Sequence, residues 1–215
     1  MIESSESAVK TTDRSLLYVA ELVHRVQNDY TTAISFASTM VTRSRNPEAK
    51  AALREVIDHL YALAKAHRVL RPPSPGGLVD FAADLTQLCG AISSAGLARR
   101  GLTLNLTISG SVLLESTQCW RANLILSELI SNASRHAFIT RGSRIGVDVT
   151  IASGWILCRV SDDGSSAPAP EPGLGTQLVE ALAADLGGQV SRRHTESGTV
   201  VTLTFPTNSD QRSII

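Results

Sequence analysis

The chain predicts an α+β protein: an N-terminal helical hairpin followed by an α/β sandwich of two layers. Two observations carry this. Residues 13–70 hold apolar side chains at alternating steps of three and four, which is helical periodicity. After the proline- and glycine-rich stretch Arg71-Pro72-Pro73-Ser74-Pro75-Gly76-Gly77, helical patterns alternate with strictly period-two segments, as strands with one buried face require. The expected division is a hairpin over 1–71 and a mixed domain over 78–207.

The first helix is read over 13–43, with Leu16, Val19, Val23, Val26, Tyr30, Ala33, Ala37 and Met40 as one seam. Asn46-Pro47-Glu48 supplies an N-cap, a proline at the first helical position and an early acid. A second helix follows through Ala49, Leu53, Val56, Leu60, Leu63, His67 and Leu70. One hairpin leaves part of two such seams uncovered, so a homodimer closing a four-helix bundle is expected. Beyond the linker, 81–97 reads as helix and Leu102–Ile108 as a strand. Ile145, Val147, Val149 and Ile151 alternate in a second strand, which Ser153-Gly154 turns into a third, Trp155–Ser161. A helix over 174–186 ends at Gly187-Gly188, and Gln189–His194 with Thr199–Phe205 form a last hairpin. The tail beyond Pro206 carries no structural pattern.

Composition excludes several classes. Lys+Arg and Asp+Glu number 20 each, so the net charge of zero favours neither nucleic acid nor an anionic membrane. No apolar run approaches the roughly 18 residues of a membrane span, and the polar, acidic N-terminus is unlike a signal peptide. Cys89, Cys119 and Cys158 are odd in number and lack metal-ligand spacing. The expected location is the cytoplasm, with no membrane insertion.

Between the strands lies a helix reading Glu-Leu-Ile-Ser-Asn-Ala-Ser-Arg-His-Ala-Phe from Glu128 to Phe138. Glu128, Asn132 and Arg135 fall at i, i+4 and i+7 and share a face opposite Leu124, Leu129, Ile130 and Ala133, which suits a charged ligand. Val160-Ser161-Asp162-Asp163-Gly164 places carboxylates in a turn at a strand end. Gly173-Leu174-Gly175 opens a helix and frees backbone N–H groups for an anion. Gly198-Thr199 enters the last strand. Each alone has a structural explanation: a solvated face, a tight turn, a helix cap, a hairpin.

Together and in this order they resemble the N, G1, G2 and GT boxes of the GHKL (Bergerat-fold) ATPases, particularly the sensor histidine kinases, over roughly 78–206. Upstream, Glu21-Leu22-Val23-His24-Arg25-Val26-Gln27-Asn28 resembles the phosphoacceptor box of the histidine kinase subgroup with a His-Arg-x-x-Asn motif, usually described as the HisKA_2 or HWE type. His24 follows the seam residue Val23, so it is expected on the solvent-reachable flank of the bundle, with Asn28 a turn below and Glu21 near it.

The resemblance implies ATP and Mg²⁺ as cofactors. It implies Asn132 as the metal ligand, Glu128 as an activating group beside it, and Arg135 with His136 near the phosphates. Asp162 would accept from the adenine amino group, Gly164 would let the nucleotide approach the backbone, Gly173 and Gly175 would lie under the phosphates, and Thr199 would support Asp162. His24 would receive the γ-phosphoryl group, since a neutral imidazole is a nucleophile near neutral pH, with Glu21 a candidate for holding its other nitrogen. The phosphoryl group would pass to an aspartate on a response-regulator receiver domain, and a separate sensor protein is a possible further partner.

Two departures stand out. Ser166 occupies the place of the second G1 glycine, and the segment between Gly164 and Gly173 is only eight residues, with three prolines. They keep a second reading open, a histidine phosphotransferase with a degenerate ATP site that relays phosphoryl groups between receiver domains. A third class, a GHKL serine kinase that inhibits a sigma factor, is opposed by the His24 hairpin.

Overall fold

The computed structural model describes residues 3–73, 76–97, 100–139, 143–164, 174–195 and 197–207. The chain falls into two compact units, Met1–Pro72 and Pro73–Ile215.

The first unit is a hairpin of α1 (Glu3–Arg43) and α2 (Pro47–Val69). Helix α1 begins ten residues before the stretch its apolar pattern marks. Its first turns are Ser-, Thr- and Glu-rich, and polar residues give no periodicity to read. Asn46 caps α2: its Oδ1 accepts from the N–H of Glu48 at 2.8 Å and of Ala49 at 3.4 Å, with Pro47 at the first position. Gln27 Nε2 donates to the Ala64 carbonyl at 3.0 Å and fixes the register of the two helices. The Tyr30 and His67 rings meet at 5.4 Å between centroids. Burial holds the His67 imidazole below its usual pKa. Ile34, Ala37, Ala64 and Ala66 are buried, yet Phe36 and Tyr61 are 67% and 59% exposed, and Met40 and Val56 are also uncovered.

The second unit contains β1 (Leu78–Asp80), α3 (Phe81–Ile92), a π-helical turn over Ser93–Leu97, β2 (Thr103–Ser109), β3 (Leu113–Glu115) and α4 (Ser116–Ile139). It continues with β4 (Arg144–Ala152), β5 (Trp155–Asp162), α5 (Leu174–Asp185), β6 (Gln189–Thr195) and β7 (Gly198–Pro206). Five strands form one sheet in the order β2-β4-β5-β7-β6, antiparallel except for the parallel β2–β4 pair, while β1 and β3 make a separate antiparallel pair. Helices α3, α4 and α5 cover one sheet face. Its residues Ile145, Val147, Val149, Ile156, Cys158, Val160, Leu203 and Phe205 are at most 2% exposed. The other face is open, with Trp155 half exposed.

Turn chemistry fixes the connections. Ser153 (φ 51°) and Gly154 (φ 77°) make the two-residue β4–β5 hairpin turn. Gly187 (φ 64°) ends α5, and the Gly188 N–H returns to the Ala183 carbonyl at 2.9 Å. The expected helix over 81–97 departs from α geometry after Ile92, and Gly96 at φ 142° breaks it. The tail beyond residue 207 and the segment 165–173 lie outside the described residues. The three cysteines are free and buried, and burial pushes Cys89 and Cys158 up to about 12 and raises Cys119 further. Such thiols are not reactive near neutral pH.

Candidate active site

Helix α4 holds Leu129, Ile130, Ala133 and Ala137 in the core, and this turns Glu128, Asn132 and Arg135 to its other face. The Arg135 guanidinium joins them: it donates to Asn132 Oδ1 and lies 3.5 Å from Glu128 Oε1. Glu128 also reaches the first turn of α5. A Cβ on Gly175 would collide with Glu128 Oε1 and lie 3.0 Å from its Cδ, so a side chain there would displace this carboxylate from the α5 terminus. The N-terminal turn of α5, whose first N–H groups have no partner within the helix, thus borders the polar face of α4 at Glu128.

The two aspartates of the β5 turn have different surroundings. Asp162 ends β5 almost fully buried, and its Oδ1 accepts from the Gly164 N–H at 3.0 Å. Asp163 ties the end of β5 to the start of β4. Its Oδ1 accepts from the N–H of Ser143 at 2.7 Å and of Arg144 at 2.8 Å, and its Oδ2 from Arg144 Nε at 3.2 Å. Partial burial acts to raise the Asp163 carboxyl, but the backbone N–H groups of Arg144 and Ser143 and the Arg144 guanidinium outweigh it and hold the group below its ordinary value.

Gly198 begins β7 at φ 131°, and an added Cβ would fall onto the Asp162 carbonyl oxygen. The glycine that precedes Thr199 is therefore the close neighbour of Asp162, whereas Thr199 Oγ1 faces His194 Nδ1 at 3.2 Å. Gly173 and the His136 side chain lie outside the described residues, as does Ser166.

His24, Glu21 and Asn28 lie exposed on α1. The Asn28 amide nitrogen is 3.4 Å from His24 Nδ1, which leaves Nε2 as the outward ring nitrogen. Glu21, expected near the imidazole, is paired with Arg25 at 2.9 Å. The hydrogen bond and charge of Arg25, with a smaller effect of His24, hold its carboxyl below the ordinary value. His24, Gln27 and Asn28 share a cleft of about 170 Å³ with Arg68 and Arg71 of the α2 end. Neither arginine was picked out by sequence reasoning, although the hairpin itself signals them. Folding the chain about the turn near Ser44 brings residues around His67 level with His24, as the Gln27–Ala64 bond confirms.

An antiparallel helical pair bearing an exposed histidine, followed by a sandwich with a polar α4 face set against the start of α5 and a buried aspartate at the end of β5, defines a histidine kinase catalytic core with a GHKL-type domain. Residues 21–95 match the histidine kinase family, and residues 120–209 match the histidine kinase-, DNA gyrase B- and HSP90-like ATPases. The two matches cover about three quarters of the chain, and the chain belongs to the histidine kinase family.

Among curated relatives, the sensor histidine kinase PdtaS of Mycobacterium tuberculosis is 26% identical over 211 residues, covering 92% of this chain and 42% of that protein. The chain thus spans less than half the length of that relative. The histidine kinase domain of the Erythrobacter litoralis blue-light activated histidine kinase superposes with a TM-score of 0.59 at 22% identity, over 82% of this chain and 96% of that domain. Full-length ShkA in complex with AMPPNP gives 0.54 at 19% identity, over 88% of this chain and 45% of that one. Both structural likenesses show the fold. Among the described residues, no helix is long and apolar enough to cross a membrane.

Proposed function

We propose that this chain transfers the γ-phosphoryl group of ATP to His24 and then passes it to an aspartate of a response-regulator receiver domain. The observation that carries this reading is the clustering of Glu128, Asn132 and Arg135 on one face of α4, with Glu128 set against Gly175 at the start of α5. A carboxylate, an amide oxygen, a guanidinium and a helix N-terminus suit a magnesium-bound triphosphate.

Asp162 is assigned the adenine amino group, because a buried carboxylate accepts from that donor and repels the guanine carbonyl at the same place. Gly164 keeps the backbone open beside it, and Gly198, next to Thr199, holds the strand start against it. Gly173 and Gly175 are assigned to the phosphates, with Arg135 and His136 on the α4 side. Asn132 Oδ1 and Glu128 fit a hard cation that takes oxygen ligands. Among the described residues no three His, Cys, Asp or Glu side chains form a metal cluster, so most ligands of a magnesium ion would come from the nucleotide and water. Arg135, which now covers Asn132 Oδ1 and Glu128, would move onto phosphate. Magnesium supplies charge neutralisation of the triphosphate when bound.

At the acceptor, the Nε2 lone pair attacks the γ-phosphorus as the bond to the bridging oxygen breaks, with the electron pair leaving on ADP. This requires the imidazole proton on Nδ1. With the Asn28 Nδ2 group toward Nδ1, Nδ1 is the acceptor and the proton lies on Nε2; a half-turn of the amide presents Oδ1 to Nδ1–H and frees the Nε2 lone pair. Asn28→Asp, which offers only acceptors, should therefore retain labelling of His24, and Asn28→Leu should lose most of it. Retention in both variants would remove Asn28 from the mechanism.

Isothermal titration with a non-hydrolysable ATP analogue tests the nucleotide site. Saturable, magnesium-dependent binding that Asn132→Ala abolishes, with ATP preferred over GTP until Asp162→Asn, supports the assignment. Equal binding of both nucleotides, unchanged by Asp162→Asn, would refute it.

A further inference from the structure

We infer that Arg68 and Arg71 form a phosphoryl-binding wall beside His24, holding the oxygens of the group while it is carried on Nε2. The inference rests on the reading of His24 as acceptor, but its structural basis lies wholly within the helical hairpin. The cleft is lined by His24, Gln27 and Asn28 from α1, by Arg68 from the last turn of α2 and by Arg71 just past it, with no carboxylate among the described residues of its wall. Among the described residues neither guanidinium is paired with an acid, whereas Arg25, the cation next in sequence to His24, is committed to Glu21 at 2.9 Å. The Gln27 bond to the Ala64 carbonyl fixes the height of α2 against α1, so the end of α2 is held at this level.

Charge balance explains why such a wall is needed. When the P–N bond forms and the bridging P–O bond breaks, the phosphoryl group brings two negative charges to Nε2. The ring gains one positive charge, which it keeps until the Nδ1 proton leaves to water. After that, a dianion remains with no counter-charge from His24, Gln27 or Asn28. Two guanidinium groups, each able to donate a pair of parallel N–H bonds to phosphoryl oxygens, meet that need.

A simpler account assigns the arginines to the helix end, where cations offset the dipole. It suits Arg68 in the last turn of α2. It does not cover Arg71, which lies past the helix, and gives no reason for both side chains to share a cleft with the imidazole.

The test uses the full chain and inorganic phosphate as probe, following the His24 ring signals by NMR. The parent should show a saturable shift. The paired change Arg68→Gln with Arg71→Gln should weaken binding by about tenfold, the range for charge-assisted hydrogen bonds at a solvent-exposed site. Lysine at both positions should restore part of the affinity, and the melting temperature should stay at the parent value, which a purely structural role would not predict. After labelling from ATP, phosphohistidine at position 24 should decay several-fold faster in the glutamine pair. No saturable shift in the parent, or an equal shift in the glutamine pair, overturns the inference. Phosphate binding that depends on both arginines, in a chain that ATP never labels at His24, would instead overturn the acceptor reading and leave the anion site standing.

Discussion

Replacing Gly198 by alanine should damage both the stability of the α/β unit and its nucleotide site, through one contact. At φ 131° the backbone is in a region that side-chain-bearing residues rarely adopt. Forcing alanine there costs about 1–3 kcal/mol. The new Cβ would also fall on the Asp162 carbonyl oxygen, 2.8 Å from its carbonyl carbon and 3.2 Å from Asp163 Cα. These are backbone atoms and cannot swing aside. Asp162 is pinned by its register with Ile145 and Asp163 by its N–H bond to the Arg144 carbonyl at 3.3 Å, so relief requires the start of β7 to leave β5 near the Ser161–Val200 pair. Overpacking of this kind adds about 1–3 kcal/mol. A total of about 4 kcal/mol, the middle of the summed range, lowers the melting temperature of a unit this size by roughly 10–15 °C. Thermal unfolding of the full chain followed by circular dichroism reads the first effect, and titration with an ATP analogue reads the second. A variant that melts within about 2 °C of the parent and binds the analogue equally well would show that the Gly198–Asp162 approach constrains neither.

Other substitutions separate stability from chemistry. Gly175→Ala pushes on the far end of the flexible Glu128 side chain and not on backbone, so it should cost under about 1 kcal/mol while reducing phosphoryl transfer strongly; an unaffected rate would free Glu128 of its assigned role. Asp163 has a lowered carboxyl, so the stability it contributes is complete above the unfolded carboxylate range near pH 4 and is lost as pH falls through its folded value. Urea midpoints should fall on acidification below about pH 4, and Asp163→Asn should be less stable at pH 6 yet lose less below that range; parallel curves would contradict the assignment. Phe36 and Met40, exposed on the hairpin, are the proposed dimer contacts. Light scattering should give about twice 22.9 kDa for the parent and the single mass for the double change to glutamate, and a monomeric parent would refute the bundle.

Much of the architecture was legible because it rests on local rules. Asn46-Pro47 announced α2 through a side-chain cap and a first-turn proline, and Ser153-Gly154 the β4–β5 turn and Gly187-Gly188 the end of α5 through left-handed backbone that few residues adopt. What was not legible depends on partners distant in sequence. Strands β1 and β3 are three residues each and exist through their pairing, Leu78 with Glu115 and Asp80 with Leu113, which leaves no period to detect. The polar face of α4 was readable from spacing alone, but the contact of Glu128 with Gly175 joins elements nearly fifty residues apart. In the Asp162-Asp163 pair, spacing cannot tell the buried, inward residue from the one that ties down Ser143 and Arg144; strand alternation and the β4 register decide it. The pairing of Glu21 with Arg25 follows from their i, i+4 spacing, a rule that competes with any role for Glu21 at the imidazole.

Incubation of the purified chain with γ-labelled ATP and magnesium tests directly whether His24 accepts the γ-phosphoryl group. The expected label is labile in acid and stable in alkali, located by mass spectrometry on His24 and absent from His24→Ala, whose fold should persist because the replaced side chain is exposed. Full labelling of His24→Ala, or label gained only from a phosphorylated receiver domain and never from ATP, would contradict that role of His24.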